Sequence, residues 1–251
     1  MNKLNQLPHP AVYGHRGASS YAPENTMSAF RLAKQQGADG IEFDVKLSAD
    51  GQVVIIHDPT VNRTTNGKGL VKNLSLSEIK QLDAGSSFSS QFAGEPIPTL
   101  AELFDEMRHS LYMNVEMTNY TTQSDLLPEK VAELVRKYDM YDSIVFSSFS
   151  KKTITRIHAL LPEIPVAMLA NEGLPGAINR SSIGLKAAPD ALHPHFSDVT
   201  PAMIEKQKQY HRKVNVWTVN QEADIRRMIA LGVDGIITND PILALMCRDS
   251  G

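Results

Sequence analysis

The sequence has one cysteine, Cys247, and no surplus of either charge: 25 basic residues stand against 28 acidic ones, a formal net charge of -3. A lone cysteine excludes an internal disulfide framework and a cysteine-rich zinc site. The charge balance leaves no basic stripe for nucleic acid and no polybasic patch for anionic lipid. No run approaches the ~18 uninterrupted apolar residues of a membrane-spanning helix. The first residues, MNKLNQLPHPAVYG, lack the apolar centre of a signal peptide, so the expected location is the cytoplasm, without membrane insertion. Cys247 itself reads as a small buried apolar side chain near the end of the last helix.

What the chain does have is a rhythm. Apolar runs of strand length recur at 11–15, 40–45, 111–117, 143–149, 165–170, 191–195, 213–219 and 235–239, with helical periodicity between them. Strand and helix alternate throughout, as a parallel sheet requires. A total of 251 residues suits a single (β/α)8 TIM barrel, which typically uses about 250, so one domain is expected over 1–251. Local signals agree. Thr99 with Glu102 reads as a capping box; Thr200-Pro201 and Asp240-Pro241 each read as an N-cap before proline; Asn220 is placed to cap the helix after the seventh strand. The junctions GADGI and GVDGI, at 37–41 and 232–236, repeat a glycine able to end a helix in the left-handed region.

The second strand departs from a plain barrel. VKLSADGQVVIIHD reads as a hairpin around Asp50-Gly51, and a Ser-, Gly- and Thr-rich stretch at 59–98 precedes the next capped helix. That stretch is expected to be a small insertion between strand 2 and helix 2, at the mouth of the barrel, given some structure by SEIKQLDAG and the Asn66-Gly67 turn.

In such a barrel, chemistry belongs to polar residues at the carboxyl ends of strands. His15 and Arg16 end the first strand, Glu42 and Asp44 share one face of the second, and Glu116 lies on the third. Two inward carboxylates without an obvious basic partner need solvent or a cation. A two-residue hairpin loop sets His57 opposite Asp44, and a four-residue loop sets it opposite Glu42; either points His57 to the carboxylates' side. Three carboxylates suit Mg²⁺ or Ca²⁺ rather than zinc, Arg16 offers a fork for a phosphate, and two free imidazoles can share acid and base duties. Metal-assisted cleavage of a phosphodiester uses all of these groups. PENT, at 23–26, reads equally well as a plain helix start capped by Asn25 or Thr26.

Taken in order, GHRGASSYAPENTMSAF, GADGIEFDVKLSADGQVVIIHDPTVNRTTNG, LDAGSSF, IPTLAE, NVE, SSF, LHP, WTVN and GVDGIITNDP span nearly the whole chain. The chain resembles the glycerophosphodiester phosphodiesterases through them. The resemblance implies a β/α barrel with a small insertion, one bound Mg²⁺ or Ca²⁺, and hydrolysis of small-molecule glycerophosphodiesters to glycerol 3-phosphate and an alcohol. It implies His15 and His57 as the acid and base pair, Arg16 as phosphate anchor, and Glu42, Asp44 and Glu116 as metal ligands. Trp217 and Phe149 are expected to wall the glycerol carbons, and His193 either bonds a substrate hydroxyl or is a satisfied core histidine. One position departs: where the family usually shows Glu-x-Lys, this chain has Glu116-Met117-Thr118. Lys46, on the face of Asp44, is the expected stand-in for the missing cation. Two other readings remain open: a phospholipase-like lyase that stops at a cyclic phosphate, and a non-catalytic binder of polyol phosphates.

Overall fold

The computed structural model describes residues 2–188 and 190–250; the ends of the expected domain span, Met1 and Gly251, and also Pro189, lie outside it. Nine strands form one sheet: β1 Ala11–His15, β2 Gly40–Leu47, β3 Val53–Ile55, β4 Tyr112–Met117, β5 Ile144–Ser148, β6 Val166–Ala170, β7 Ala191–Pro194, β8 Lys213–Val216 and β9 Gly235–Thr238. Leaving β3 aside, the other eight run parallel in the order β1, β2, β4, β5, β6, β7, β8, β9, and β9 pairs back onto β1. That is a closed TIM barrel, with each of the eight expected strands in its expected place. Among the described residues no helix is long and apolar enough to cross a membrane.

Strand alternation decides what faces the lumen. On β2, Ile41, Phe43 and Val45 pack outward into the main core with Phe30, Leu103 and Phe104, while Gly40, Glu42 and Asp44 take the opposite face. Tyr13, Tyr112, Val145, Ala167, Ala191 and Ile237 form one apolar cluster in the lumen, Ile237 reaching the mouth. Beside it lies a polar layer of Asn114, Ser147, His193 and Asn215, each almost wholly buried. Both side-chain polar atoms of Asn114, the Ser147 hydroxyl and His193 Nδ1 find no protein partner there. Polar groups so placed call for ordered water.

The helix signals work largely as read. Thr99 and Glu102 form a reciprocal capping box, and Thr200 and Asp240 cap helices that begin with proline. Gly37 and Gly232 both have positive φ, Gly232 as the left-handed cap of helix Glu222–Leu231. Asn220 does not cap that helix. Its cap position is Gln221, and Asn220 Oδ1 accepts from the Asn239 N–H at 2.9 Å, tying the end of β8 to the end of β9. Cys247 is buried on helix Pro241–Asp249.

The hairpin register corrects the expected one. Val45 pairs with Ile55 and Leu47 with Val53, one residue off both alternatives. The cause is the turn. Ser48 N–H donates to Gln52, and Gly51 sits at φ 73°, closing a loop of odd length, Ala49 to Gly51, where both expectations took an even one. Extended regularly, this register would set His57 beside Phe43, on the wrong face. The ladder instead stops: Ile56 N–H still bonds Asp44 O at 2.9 Å, and the chain bends at His57 and Asp58. Residues 59–98 then fold over the hairpin around Val61, Val71, Ile79, Ala84 and Ile97, which pack on Val54 and Ile56. Ser75 and Glu78 give its helix Leu76–Ile79 a capping box of its own.

Candidate active site

At the carboxyl ends of the strands a cavity is lined by His15, Arg16, Glu42, His57, Asn114, Glu116, Phe149, Leu169, Trp217, Thr218 and Ile237. His57 therefore reaches the side of the carboxylates by the bend after β3 rather than by hairpin register. A larger hollow of about 580 Å³, lined by Leu47, Leu70, Val71 and Leu126, lies on the far side of Lys46 and Thr118 and holds none of the expected acid, base or carboxylate groups.

The parallel register brings Asp44 beside Glu116, with Glu42 one turn of the pleat below. Glu42, Asp44 and Glu116 each present an oxygen within 4.8 Å of the others. Their environment records the crowding. Burial first, then the charges of Asp44 and Glu116, push the Glu42 carboxyl well up; burial and Asp44 push Glu116 up to about 8. A cation would relieve like charges so close and so dry. An all-oxygen donor set fits a hard divalent ion. Each carboxylate is also held from outside: Glu42 Oε2 accepts from Arg16 N–H at 3.1 Å, Asp44 Oδ2 from Asn25 Nδ2 at 2.9 Å, and Glu116 Oε1 from the Tyr120 hydroxyl at 2.6 Å.

The two imidazoles are oriented alike. His57 Nδ1 lies 2.7 Å from Asp58 Oδ1; since an ionised carboxylate only accepts, Nδ1 carries the proton and Nε2 is left free. His15 Nδ1 lies 2.6 Å from Asn239 Oδ1, and its Nε2 is 3.9 Å from Glu42. Burial and then Arg16 push His15 down to about 4, so its ring is neutral at neutral pH. Arg16, at φ 56°, sends Nη1 to Glu24 at 2.7 Å and sets Nε 3.3 Å from Asp44, without a hydrogen bond at Nε.

Other expected residues divide. Phe149 and Trp217 both line the cavity and meet edge to face, ring centroids 5.5 Å apart, with Tyr120 behind Phe149. His193 does not line it: it is fully buried in the polar layer below, its Nε2 3.0 Å from Asn215 Nδ2, and burial lowers it to about 3. Its backbone carbonyl accepts from Trp217 Nε1 at 2.8 Å, so its visible contact with the site runs through the indole. Lys46 stands in register with Thr118, and its ammonium donates to both the carbonyl and, at 2.8 Å, the hydroxyl of that residue. The position where a lysine was missing thus has an ammonium beside it. PENT is more than a helix start. Thr26 caps helix Met27–Gln35, while Asn25, at φ 58°, holds Asp44 and Glu24 holds Arg16. Glu24, Asn25, Asp58, Arg63 and Asn239 lie inside the motif stretches that carry the resemblance, yet were given no place in the site; Tyr120 lies outside those stretches.

Residues 15–243 match the model of the Glycerophosphoryl diester phosphodiesterase family. A glycerophosphodiester phosphodiesterase of Caldanaerobacter subterraneus is 40% identical over 231 residues, 92% of this chain and 94% of that one. One from Bacillus altitudinis is 36% identical, covering 95% of this chain and 98% of its own. Among solved structures, an Oleispira antarctica phosphodiesterase in complex with the product sn-glycerol-3-phosphate superposes with a TM-score of 0.89 at 30% identity, over 99% of this chain and 100% of that one.

Proposed function

The chain belongs to the glycerophosphoryl diester phosphodiesterase family and is an enzyme of that class, and from that premise we propose that it hydrolyses glycerophosphodiesters to sn-glycerol 3-phosphate and an alcohol, using a divalent cation and a pair of histidines. One observation carries the reading: three carboxylates within 4.8 Å of one another stand beside two imidazoles and an arginine at a single barrel mouth. The product bound to the Oleispira protein supports the choice of substrate.

Glu42, Asp44 and Glu116 would hold Mg²⁺ or Ca²⁺, which when bound supplies Lewis-acid polarisation of a phosphoryl oxygen. Arg16 would bind the phosphate through its guanidinium fork, and Lys46, with two of its three N–H donors committed to Thr118, would have the third left to offer the same anion. One histidine, through its free Nε2, takes the proton from the glycerol 2-hydroxyl or from water, and that oxygen forms the new P–O bond; a cyclic phosphate made by the hydroxyl would then be opened by water to glycerol 3-phosphate. The other gives a proton to the alcohol oxygen as the P–O bond breaks. Trp217 and Phe149 pack against the glycerol carbons, and the hydrogen bond from Trp217 Nε1 to the His193 carbonyl fixes the indole plane.

The test is release of glycerol 3-phosphate from glycerophosphocholine, with and without chelator, by the natural chain and by Glu42→Ala. Loss of turnover with either change is expected. Activity indifferent to both would overturn the metal-dependent reading, and accumulation of a cyclic phosphate would make the enzyme a lyase.

A further inference from the structure

Five side chains form one ion-paired chain along the rim of the site. Arg16 Nη1 donates to Glu24 at 2.7 Å; Arg63 donates to Glu24 through Nη1 and Nη2 at 2.7 and 2.8 Å; Arg63 donates to Asp58 through Nε and Nη2 at 2.8 and 3.0 Å; and Asp58 takes the Nδ1 proton of His57 at 2.7 Å. Arg63 is the centre. Each edge of its planar guanidinium meets a different carboxylate in bidentate fashion, and each of those carboxylates holds a residue that lines the cavity.

The members come from four places: the end of β1, the loop before helix Met27–Gln35, the bend at His57 and Asp58 after β3, and the start of the 59–98 segment. Nothing in the strand pairing fixes His57, which stands beyond the last residue of β3. Its orientation depends on Asp58, and Asp58 depends on Arg63. Arg16, at a left-handed backbone position with Nε 3.3 Å from Asp44, makes its one side-chain hydrogen bond among the described residues from Nη1 to Glu24. Buried carboxylates ordinarily rise, yet Arg63 and Arg16 outweigh the desolvation of Glu24 and hold it at about 2, so this joint stays charged. Arg63 is about half exposed, and an exposed pair contributes little to stability, about 0–1 kcal/mol. Holding the fold together is therefore a weak reason for a double bidentate clamp; holding two functional groups at once is a better one.

We infer that Arg63 is a positioning residue for phosphodiester cleavage, setting His57 through Asp58 and Arg16 through Glu24, so that the segment after the hairpin completes the site instead of merely covering it. This rests on the proposed function, in which His57 moves a proton and Arg16 grips the phosphate. The two arms predict different kinetic signatures. Loss of the Asp58 arm lowers kcat, loss of the Glu24 arm raises KM, and loss of Arg63 does both.

The experiment is steady-state kinetics on glycerophosphocholine, with divalent cation present, for the natural chain, Arg63→Ala, Arg63→Lys, Asp58→Asn, Glu24→Gln and the Arg63→Ala/Asp58→Asn double variant. Arg63→Ala should lower kcat about 10- to 100-fold, as lost orienting partners do, and raise KM as well. In the double variant the kcat losses should fall short of their product, because both cut the same arm. Arg63→Lys, whose single ammonium cannot clamp two carboxylates bidentately, should recover only part of kcat. A kcat and KM for Arg63→Ala within about twofold of the natural chain, or losses that multiply fully, would overturn the inference. If Arg63→Ala does not fold, Arg63→Lys decides: unchanged kinetics overturn it, a shared loss in kcat and KM supports it. If the natural chain turns over no glycerophosphodiester, the reading of function fails first. Calorimetric affinity for glycerol 3-phosphate then reads the Glu24 arm alone, weaker binding by Arg63→Ala supporting the clamp and equal binding refuting it.

Discussion

Cation uptake by the metal-free protein should expel protons. Without an ion, Glu116 is pushed to about 8, by burial and by the charge on Asp44, and Glu42 is raised alongside it. A carboxyl titrating near 8 is about 90% protonated at pH 7, and a hard cation requires it ionised. Binding of Mg²⁺ or Ca²⁺ at pH 7 is therefore expected to release about one proton from Glu116, and up to about two if Glu42 contributes. A one-proton exchange makes the affinity about 50-fold tighter at pH 8 than at pH 6. Stability carries the matching sign. A carboxyl raised in the folded state binds more protons folded than unfolded, so the metal-free protein loses stability as pH rises from the ordinary glutamate value of 4.5 towards 8, and saturating cation removes that slope. Titration calorimetry in two buffers of different ionisation enthalpy counts the protons directly. A count near zero, with affinity level from pH 6 to 8, would mean that these carboxylates are already ionised, and the account of the cluster would be wrong.

Replacing His57 by Ala is expected to lower kcat about 100- to 10,000-fold while calorimetric affinity for the cation stays level; an active variant would remove His57 from proton transfer. Lys46→Ala should raise KM about 10-fold or more, and Lys46→Ala/Thr118→Lys should recover much of it; unchanged kinetics in the single variant would show that its ammonium serves only Thr118. Glu24, held at about 2 against an ordinary 4.5, contributes stability that is complete above about pH 4.5 and is lost as pH falls through about 2. Acid unfolding of Glu24→Gln, followed by circular dichroism, should accordingly show a shallower loss across that window. Trp217→Ala should raise KM for glycerophosphocholine with smaller change in affinity for inorganic phosphate; equal losses for both ligands would mean that the indole shapes the anion site instead.

The barrel was legible because its strands are buried on both faces and read as apolar runs wherever they occur, and because Thr99, Thr200 and Asp240 cap by rules local to four residues. Glu42, Asp44 and Glu116 were legible because strand parity alone decides their face. The hairpin was not. Its register turned on whether three residues or an even number closed the loop, and Ala49-Asp50-Gly51 permits either until Gly51 commits to positive φ. His57 was placed on the correct side for an incorrect reason. Asn25, Arg63 and Asn239 stand within the motif stretches, but their roles were not legible, because those lie in contacts across 19 to 224 positions that no local pattern encodes. His193 shows the reverse limit: a histidine at a strand end looks functional in sequence, and only depth within the lumen shows that it lies beneath the cavity rather than on it.

The distribution of groups around the mouth has an evolutionary corollary. Every ionic participant, from His15 to Glu116, comes from β1, β2, β4 and their loops, whereas the rings of Phe149 and Trp217 follow β5 and β8. The charged groups and the aromatic wall are thus written in separate halves of the gene. Apart from Asn239, which holds His15, substitutions in the later half leave that charge inventory in place, so the aromatic wall is free to drift by itself.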